Sequence, residues 1–145
     1  MDTHLARDLL VRRGFLALLL VAMAATAAGS ALADEPAEIS ADTLAARLEE
    51  GSPGPVVLDV RRRDEYLAGH VPGAINIPVD ELTERIGELA ALSDSDLVVY
   101  CLAGRRAERA LTILTAHGFH RLMHLTGDMA GWRDSGHSIS RSDGA

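Results

Sequence analysis

The sequence predicts an α/β domain built on a mostly parallel central sheet. Short runs of β-branched and aliphatic residues alternate with stretches of helical spacing, the order of elements that βα units produce. The two strongest runs, "VVLDV" at 56–60 and "DLVVYC" at 96–101, are apolar enough to be strands covered on both faces. A chain of 145 residues, 48% of them hydrophobic, leaves room for one compact domain, and an aromatic content of 3% requires an aliphatic core.

The elements can be justified in order. Ser40 is placed to cap a helix that carries Leu44, Ala45 and Leu48 on one face and ends at Gly51. A Pro- and Gly-rich loop over 51–55 leads into the first strong strand. A short helix around Asp64 to Ala68 stops at Gly69, and "GAINIP" at 73–78 reads as a brief strand closed by Pro78. Val79, Leu82, Ile86 and Leu89 then recur with helical spacing. After the second strong strand, Ala107, Ala110, Leu111 and Leu114 mark an amphipathic helix that Gly118 terminates. "RLMHL" at 121–125 is a last strand, residues 128–134 are expected to form a short helix, and the polar tail from Ser135 onward is expected to be loose.

Residues 1–33 have the pattern of a cleaved export signal. Arg7, Arg12 and Arg13 form a basic lead, Phe15 to Ala28 is apolar or small apart from Thr26, and Ala31-Leu32-Ala33 supplies the cleavage site. "RRGFL" at 12–16 is similar to a twin-arginine signal, although Val11 stands where Ser or Thr is usual, so the export route stays open. Cleavage would remove three arginines and two aspartates from the 14 basic and 21 acidic side chains, leaving 11 and 19, so the net charge goes from −7 to −8. The domain, residues 34–145, is then periplasmic or otherwise exported. Its acidity argues against nucleic acid and anionic membrane as partners.

Cys101 is the only cysteine. In an exported chain one cysteine left over points to an intermolecular partner or a reactive thiol, against the plainer reading of a buried inert one. Position favours reactivity. Cys101 ends a central strand just before a helix N-terminus, where open α/β sheets bind ligands and where free amides and the helix dipole favour a thiolate. Gly104 allows a close bend. Arg105 and Arg106 put positive charge at the wrong end of the helix dipole, a local cost of about 0.3–1 kcal/mol each that an anion site explains. The candidate site is therefore Cys101 as nucleophile, with the backbone of Leu102, Ala103 and Gly104 and the side chains of Arg105 and Arg106 as a cradle for a small sulfur or phosphorus oxyanion. In Cys-based phosphatases an arginine follows the nucleophile after five intervening residues. That position is Ala107 here, and the shorter loop suits one extra sulfur atom better than a tetrahedral phosphate.

Three segments, in order, resemble the rhodanese family. "DVRRRDEYLAGHVPGAINIP" at 59–78 is similar to its N-terminal signature, "VVYCLAGRRA" at 98–107 to its active-site loop, and "LTGDMAGW" at 125–132 to its C-terminal Gly-Gly-and-Trp motif. The loop and the export signal look most like small single-domain periplasmic members. The resemblance implies a sheet of about five strands flanked by helices on both faces, and transfer of a sulfane sulfur from thiosulfate or a similar donor through a Cys101 persulfide to cyanide or a thiol, thioredoxin-like proteins included. A sulfur carrier or binding module with little turnover and, behind it, a Cys-based phosphatase or arsenate-type reductase remain the alternatives. Two positions depart from the pattern: Leu102, where many members have Arg, and Asp128, where the second Gly is usual; Asp128 is expected at the pocket rim.

No metal or cofactor is expected. His70 is read as holding a turn, and His117, His120, His124 and His137 lack zinc spacing. Asp59, Arg61 and Glu65 are read as a structural network with Arg61 and Glu65 as a possible i, i+4 pair, and Trp132 as an anchor for the last helix.

Overall fold

The computed structural model describes residues 35–142 except Ser52; the export-signal reading falls outside the described residues. Five strands form one all-parallel sheet. In chain order the elements are β1 (Ala37–Ile39), α1 (Ala41–Glu49), β2 (Val56–Asp59), α2 (Arg63–Ala68), β3 (Ile75–Asn76), α3 (Leu82–Arg85), a 3₁₀ helix (Ile86–Leu92), β4 (Leu97–Tyr100), α4 (Arg105–Ala116), β5 (Leu122–Leu125) and α5 (Asp128–Asp134). The spatial order is β1-β5-β4-β2-β3, which puts β4 at the centre. All four residues of β4 are fully buried, as expected of a parallel strand with helices over both faces.

Alternation along the strands sorts the core into two layers. Leu58, Leu97, Val99, Cys101 and Leu122 pack with α3, the 3₁₀ helix and α4 through Leu82, Leu89, Ala107, Ala110, Leu111 and Leu114. Val57, Val98, Tyr100 and Leu125 face the other way, onto Ala41 and Leu44 of α1 and Met129 and Trp132 of α5. Trp132 is the anchor of the last helix, as its place in the sequence suggests.

Ser40 caps α1 by accepting the Thr43 N–H at 3.1 Å. β1 is an element with no clear sequence signal. It is three residues long with one buried position, and its pairing with β5 is what makes it a strand. The helical spacing after Val79 resolves into one α turn followed by 3₁₀ helix, because Ile86, Leu89 and Leu92 recur every three residues, the 3₁₀ repeat.

The tail from Ser135 is not loose, contrary to its composition. His70 and Ser140 exchange backbone hydrogen bonds at 2.9 and 3.0 Å, and the Trp132 indole N–H donates to the Ser138 carbonyl at 2.9 Å. Ile139 packs on the second core layer. A Cβ on Gly69 would lie 2.9 Å from Ile139 Cγ2, so the glycine that ends α2 also makes room for the tail. His70 holds this corner, its Nδ1 2.9 Å from the Tyr66 carbonyl and its ring stacked on Tyr66 at 3.7 Å.

Charged groups are buried where β2 ends. Asp59 and Arg61 form a bidentate pair at 2.6–3.1 Å, Arg61 also donates to the Gly69 carbonyl at 2.8 Å, and the Tyr100 hydroxyl donates to Asp59 at 2.7 Å. Burial, and after it the neighbouring Asp59 carboxylate, push the Tyr100 phenol far above its usual range, so it stays a donor. Burial works against the Arg61 charge, but Asp59 outweighs it and holds the guanidinium above its ordinary value. The i, i+4 pairing of Arg61 with Glu65 does not form, because Arg61 turns inward to the carboxylate two residues earlier.

Asp59→Ala would leave the Arg61 charge buried and unpaired. The expected loss is about 3–5 kcal/mol of unfolding free energy, read as a lower urea midpoint at an unchanged m-value.

Candidate active site

The nucleophile candidate sits where the geometry of the sheet puts it. β4 ends at Tyr100, and the chain turns tightly through Cys101, Leu102, Ala103 and Gly104 into α4. Continuing the strand alternation points Cys101 into the layer of Leu97 and Val99, so the residue is only 2% exposed. Gly104 adopts φ 102°, ψ −44°, a backbone that L side chains rarely adopt. That turn brings the Gly104 N–H back to Cys101 Sγ at 3.1 Å. Of the converging amides that the sequence suggests, this is the one hydrogen-bonded to the sulfur.

The loop has a second side. Cys101 and Leu102 turn their carbonyls toward α5, accepting from the Met129 N–H at 3.0 Å and the Ala130 N–H at 3.3 Å. The Cys101 N–H donates to Asp128 Oδ1 at 2.8 Å. Asp128 is thus buried beneath the loop, not on the pocket rim as the sequence suggested. Its φ is 52°, the only positive φ at a non-glycine position among the described residues, an arrangement costing on the order of 1 kcal/mol. His124 Nε2 lies 3.2 Å from both oxygens of that carboxylate, and its Nδ1 lies 3.3 Å from Glu38 Oε1.

The two arginines part company. Arg105 is exposed, and Arg106 is half-buried, clamped to Glu65 of α2 by two hydrogen bonds at 2.6 and 2.9 Å. Glu65, chiefly, and to a lesser degree Cys101, hold the Arg106 pKa above its ordinary value. In return Arg106, helped by the Arg62 N–H, keeps the Glu65 carboxyl below the usual glutamate range. The Glu65 partner is therefore not Arg61 but an arginine 41 residues away, at the start of the helix behind the nucleophile. Leu102 and Ala103 are exposed and form an uncharged outer lip.

Of the residues singled out in the sequence, Cys101, Gly104 and Arg106 come together, Leu102 and Ala103 shape the lip, and Arg105 faces solvent. Sequence reasoning missed Glu65 as the partner of Arg106, and weighed His124 only as a zinc ligand. The alternation of β5 was the available signal for His124, since it shares a face with Leu122. Among the described residues no cluster of His, Cys, Asp and Glu is arranged to hold a metal ion.

A cysteine at the end of a central parallel strand, with a glycine-dependent turn folding an amide back onto its sulfur, marks the class of domain. Residues 40–135 match the rhodanese-like domain family, and the chain belongs to it. It is 29% identical to a sulfurtransferase of Allochromatium vinosum, over 74% of this chain and 97% of that protein. It is 44% identical over 77 residues to an HTH-type transcriptional regulator of Mycobacterium tuberculosis, covering 53% of this chain and 32% of the regulator, so it spans about a third of that relative's length. The solution structure of the rhodanese-like domain of the Alr3790 protein from Anabaena superposes with a TM-score of 0.66 at 31% identity, over 74% of this chain and 80% of that one.

The lowered Glu65 pKa makes its pair with Arg106 a pH-dependent contribution to stability. A carboxyl depressed in the folded state stabilises above its unfolded value and loses that effect as pH falls through the folded one. The wild type should exceed Glu65→Gln by about 1 kcal/mol at neutral pH, and the gap should close below about pH 4, where unfolded glutamate protonates. Denaturant titrations of both proteins across pH 3–7 would check this.

Proposed function

We propose that the chain is a sulfurtransferase that carries a sulfane sulfur on Cys101. The observation that carries this reading is the 3.1 Å hydrogen bond from the Gly104 N–H to Cys101 Sγ, in a loop that begins at a central strand and ends in a helix N-terminus. In this reading the donor is thiosulfate or a similar sulfane compound. The Cys101 thiolate attacks the outer sulfur, a new S–S bond forms, the bond to the sulfonate sulfur breaks, and its electron pair leaves with sulfite. The persulfide keeps one negative charge on its terminal sulfur, which the Gly104 N–H and the Arg106 charge would favour. Cyanide or a thiol, including a thioredoxin-like protein, then takes that sulfur and returns the thiolate.

Three further observations support sulfur over phosphoryl chemistry and a small donor. Ala107 stands where a phosphatase of this type has its arginine. Arg106 has both terminal nitrogens bound to Glu65, so it is not free to fork two oxygens of a phosphate. Leu102 makes the outer lip apolar and offers no second cation. With the export pattern of residues 1–33, the proposal includes action in the periplasm or another exported compartment, with Asp34 as the mature N-terminus; N-terminal sequencing of the exported protein starting elsewhere than residue 34 would overturn that part.

Cys101→Ser should lower thiosulfate:cyanide turnover by at least about a thousandfold while leaving the unfolding midpoint unchanged. Intact mass after thiosulfate should show one added sulfur on the wild type alone. Turnover retained in Cys101→Ser, or a faster reaction with phosphate esters than with thiosulfate, would remove this function. Arg106→Ala should raise the Michaelis constant for thiosulfate about tenfold and Arg105→Ala by less than about threefold, because Arg106 is half-buried and fixed by Glu65 whereas Arg105 faces solvent; initial-rate kinetics on both variants would show the ranking.

A further inference from the structure

We infer that Asp128 is a positioning residue for the Cys101 nucleophile, acting from beneath the loop without touching substrate. The inference deepens the sulfur-transfer reading and rests on it for the identity of the chemistry. Position 128 has a backbone of φ 52° that glycine would adopt freely, and its carboxylate is 3% exposed. A side chain here is thus disfavoured twice, once by the backbone and once by desolvation. What it gains lies on the nucleophile. Asp128 Oδ1 accepts the N–H of Cys101 itself at 2.8 Å, and Oδ2 would be 3.5 Å from a Cβ built on Gly104. The carboxylate is wedged between the first and last residues of the turn, whose separation sets the Gly104 N–H···Sγ contact.

The rest of the environment holds the wedge still. The next two amides of α5, from Met129 and Ala130, bind the Cys101 and Leu102 carbonyls. His124 on β5 approaches both carboxylate oxygens at 3.2 Å, and Glu38 on β1 approaches the other ring nitrogen at 3.3 Å while accepting the Thr126 hydroxyl at 2.8 Å. With glycine at 128, the buried Cys101 N–H would have no side-chain acceptor, and the turn would be fixed on its carbonyl side only. A nucleophile loosened in this way loses rate without loss of fold.

The test compares wild type, Asp128→Gly and Asp128→Asn. Asp128→Gly relieves the backbone strain but leaves the Cys101 N–H without its acceptor, so the two effects offset and its melting temperature should stay within about 5 °C of the wild type. Its rates of single-turnover sulfur uptake from thiosulfate, read by intact mass, and of Cys101 alkylation by iodoacetamide should both fall about tenfold. Asp128→Asn keeps an oxygen acceptor for the Cys101 N–H and should recover both rates to within about threefold. The positioning role is overturned if Asp128→Gly alkylates and takes up sulfur within twofold of the wild type, or if both rates fall together with the melting temperature and Asn restores neither. A wild type that takes up no sulfur, with the alkylation pattern as stated, would sink the sulfur-transfer reading and leave the positioning role standing.

Discussion

The turn from Cys101 to Gly104 has two polar sides, and the site depends on their being held apart. Carbonyls on one side are bound by the first amides of α5, and the amide of Gly104 on the other returns to the sulfur. A four-residue turn offers few ways to satisfy its own backbone groups, so each must find a partner elsewhere or stay open to a ligand. Because α5 takes the carbonyls, the Gly104 amide is left to meet the sulfur. Met129 and Trp132 fix in the second core layer the element that pins Cys101, which belongs to the first.

Charge is managed by the same kind of division. A guanidinium in the first turn of a helix opposes the helix dipole, and Arg106 is stabilised there by Glu65 from a different βα unit. The pair fixes the orientation of Arg106 and reduces the net positive field above the sulfur. On a chain of net charge −7, the anionic substrate proposed above would be attracted locally, by the Gly104 N–H and Arg106, not by a basic surface. With thiosulfate as the proposed donor, such a site would need no general acid, because sulfite is already a good leaving group.

Much of the fold was legible because its strands are buried on both sides. "VVLDV" and "DLVVYC" announce themselves by composition, and the helix after the cysteine by the spacing of Ala107, Ala110, Leu111 and Leu114. What was illegible depends on partners distant in sequence. Ala37–Ile39 is a strand because β5 lies beside it. The tail is ordered because His70 and the indole of Trp132 supply hydrogen bonds that its composition does not reveal. At the site, the cysteine, the glycine and the two arginines were visible as a local conflict with helix rules, but which arginine is held beside the sulfur was not. Glu65 decides that, from 41 residues away. The nearer candidate, Arg61, was drawn off by Asp59, an outcome set by burial and not by helical spacing.

Asp128 shows the limit of reading such conflicts locally. A departure from a glycine pattern at the start of a short helix looks like drift at the edge of a pocket. In three dimensions it is a strained, buried carboxylate whose oxygen meets the N–H of the one cysteine in the chain. Backbone strain and charge burial both raise the energy of the folded state, and neither is needed to close the core, since Met129 and Trp132 do that from the same helix. A side chain that the fold does not require, held in a costly conformation against the nucleophile's own backbone and braced from behind by His124, is best explained by what it does to the turn above it.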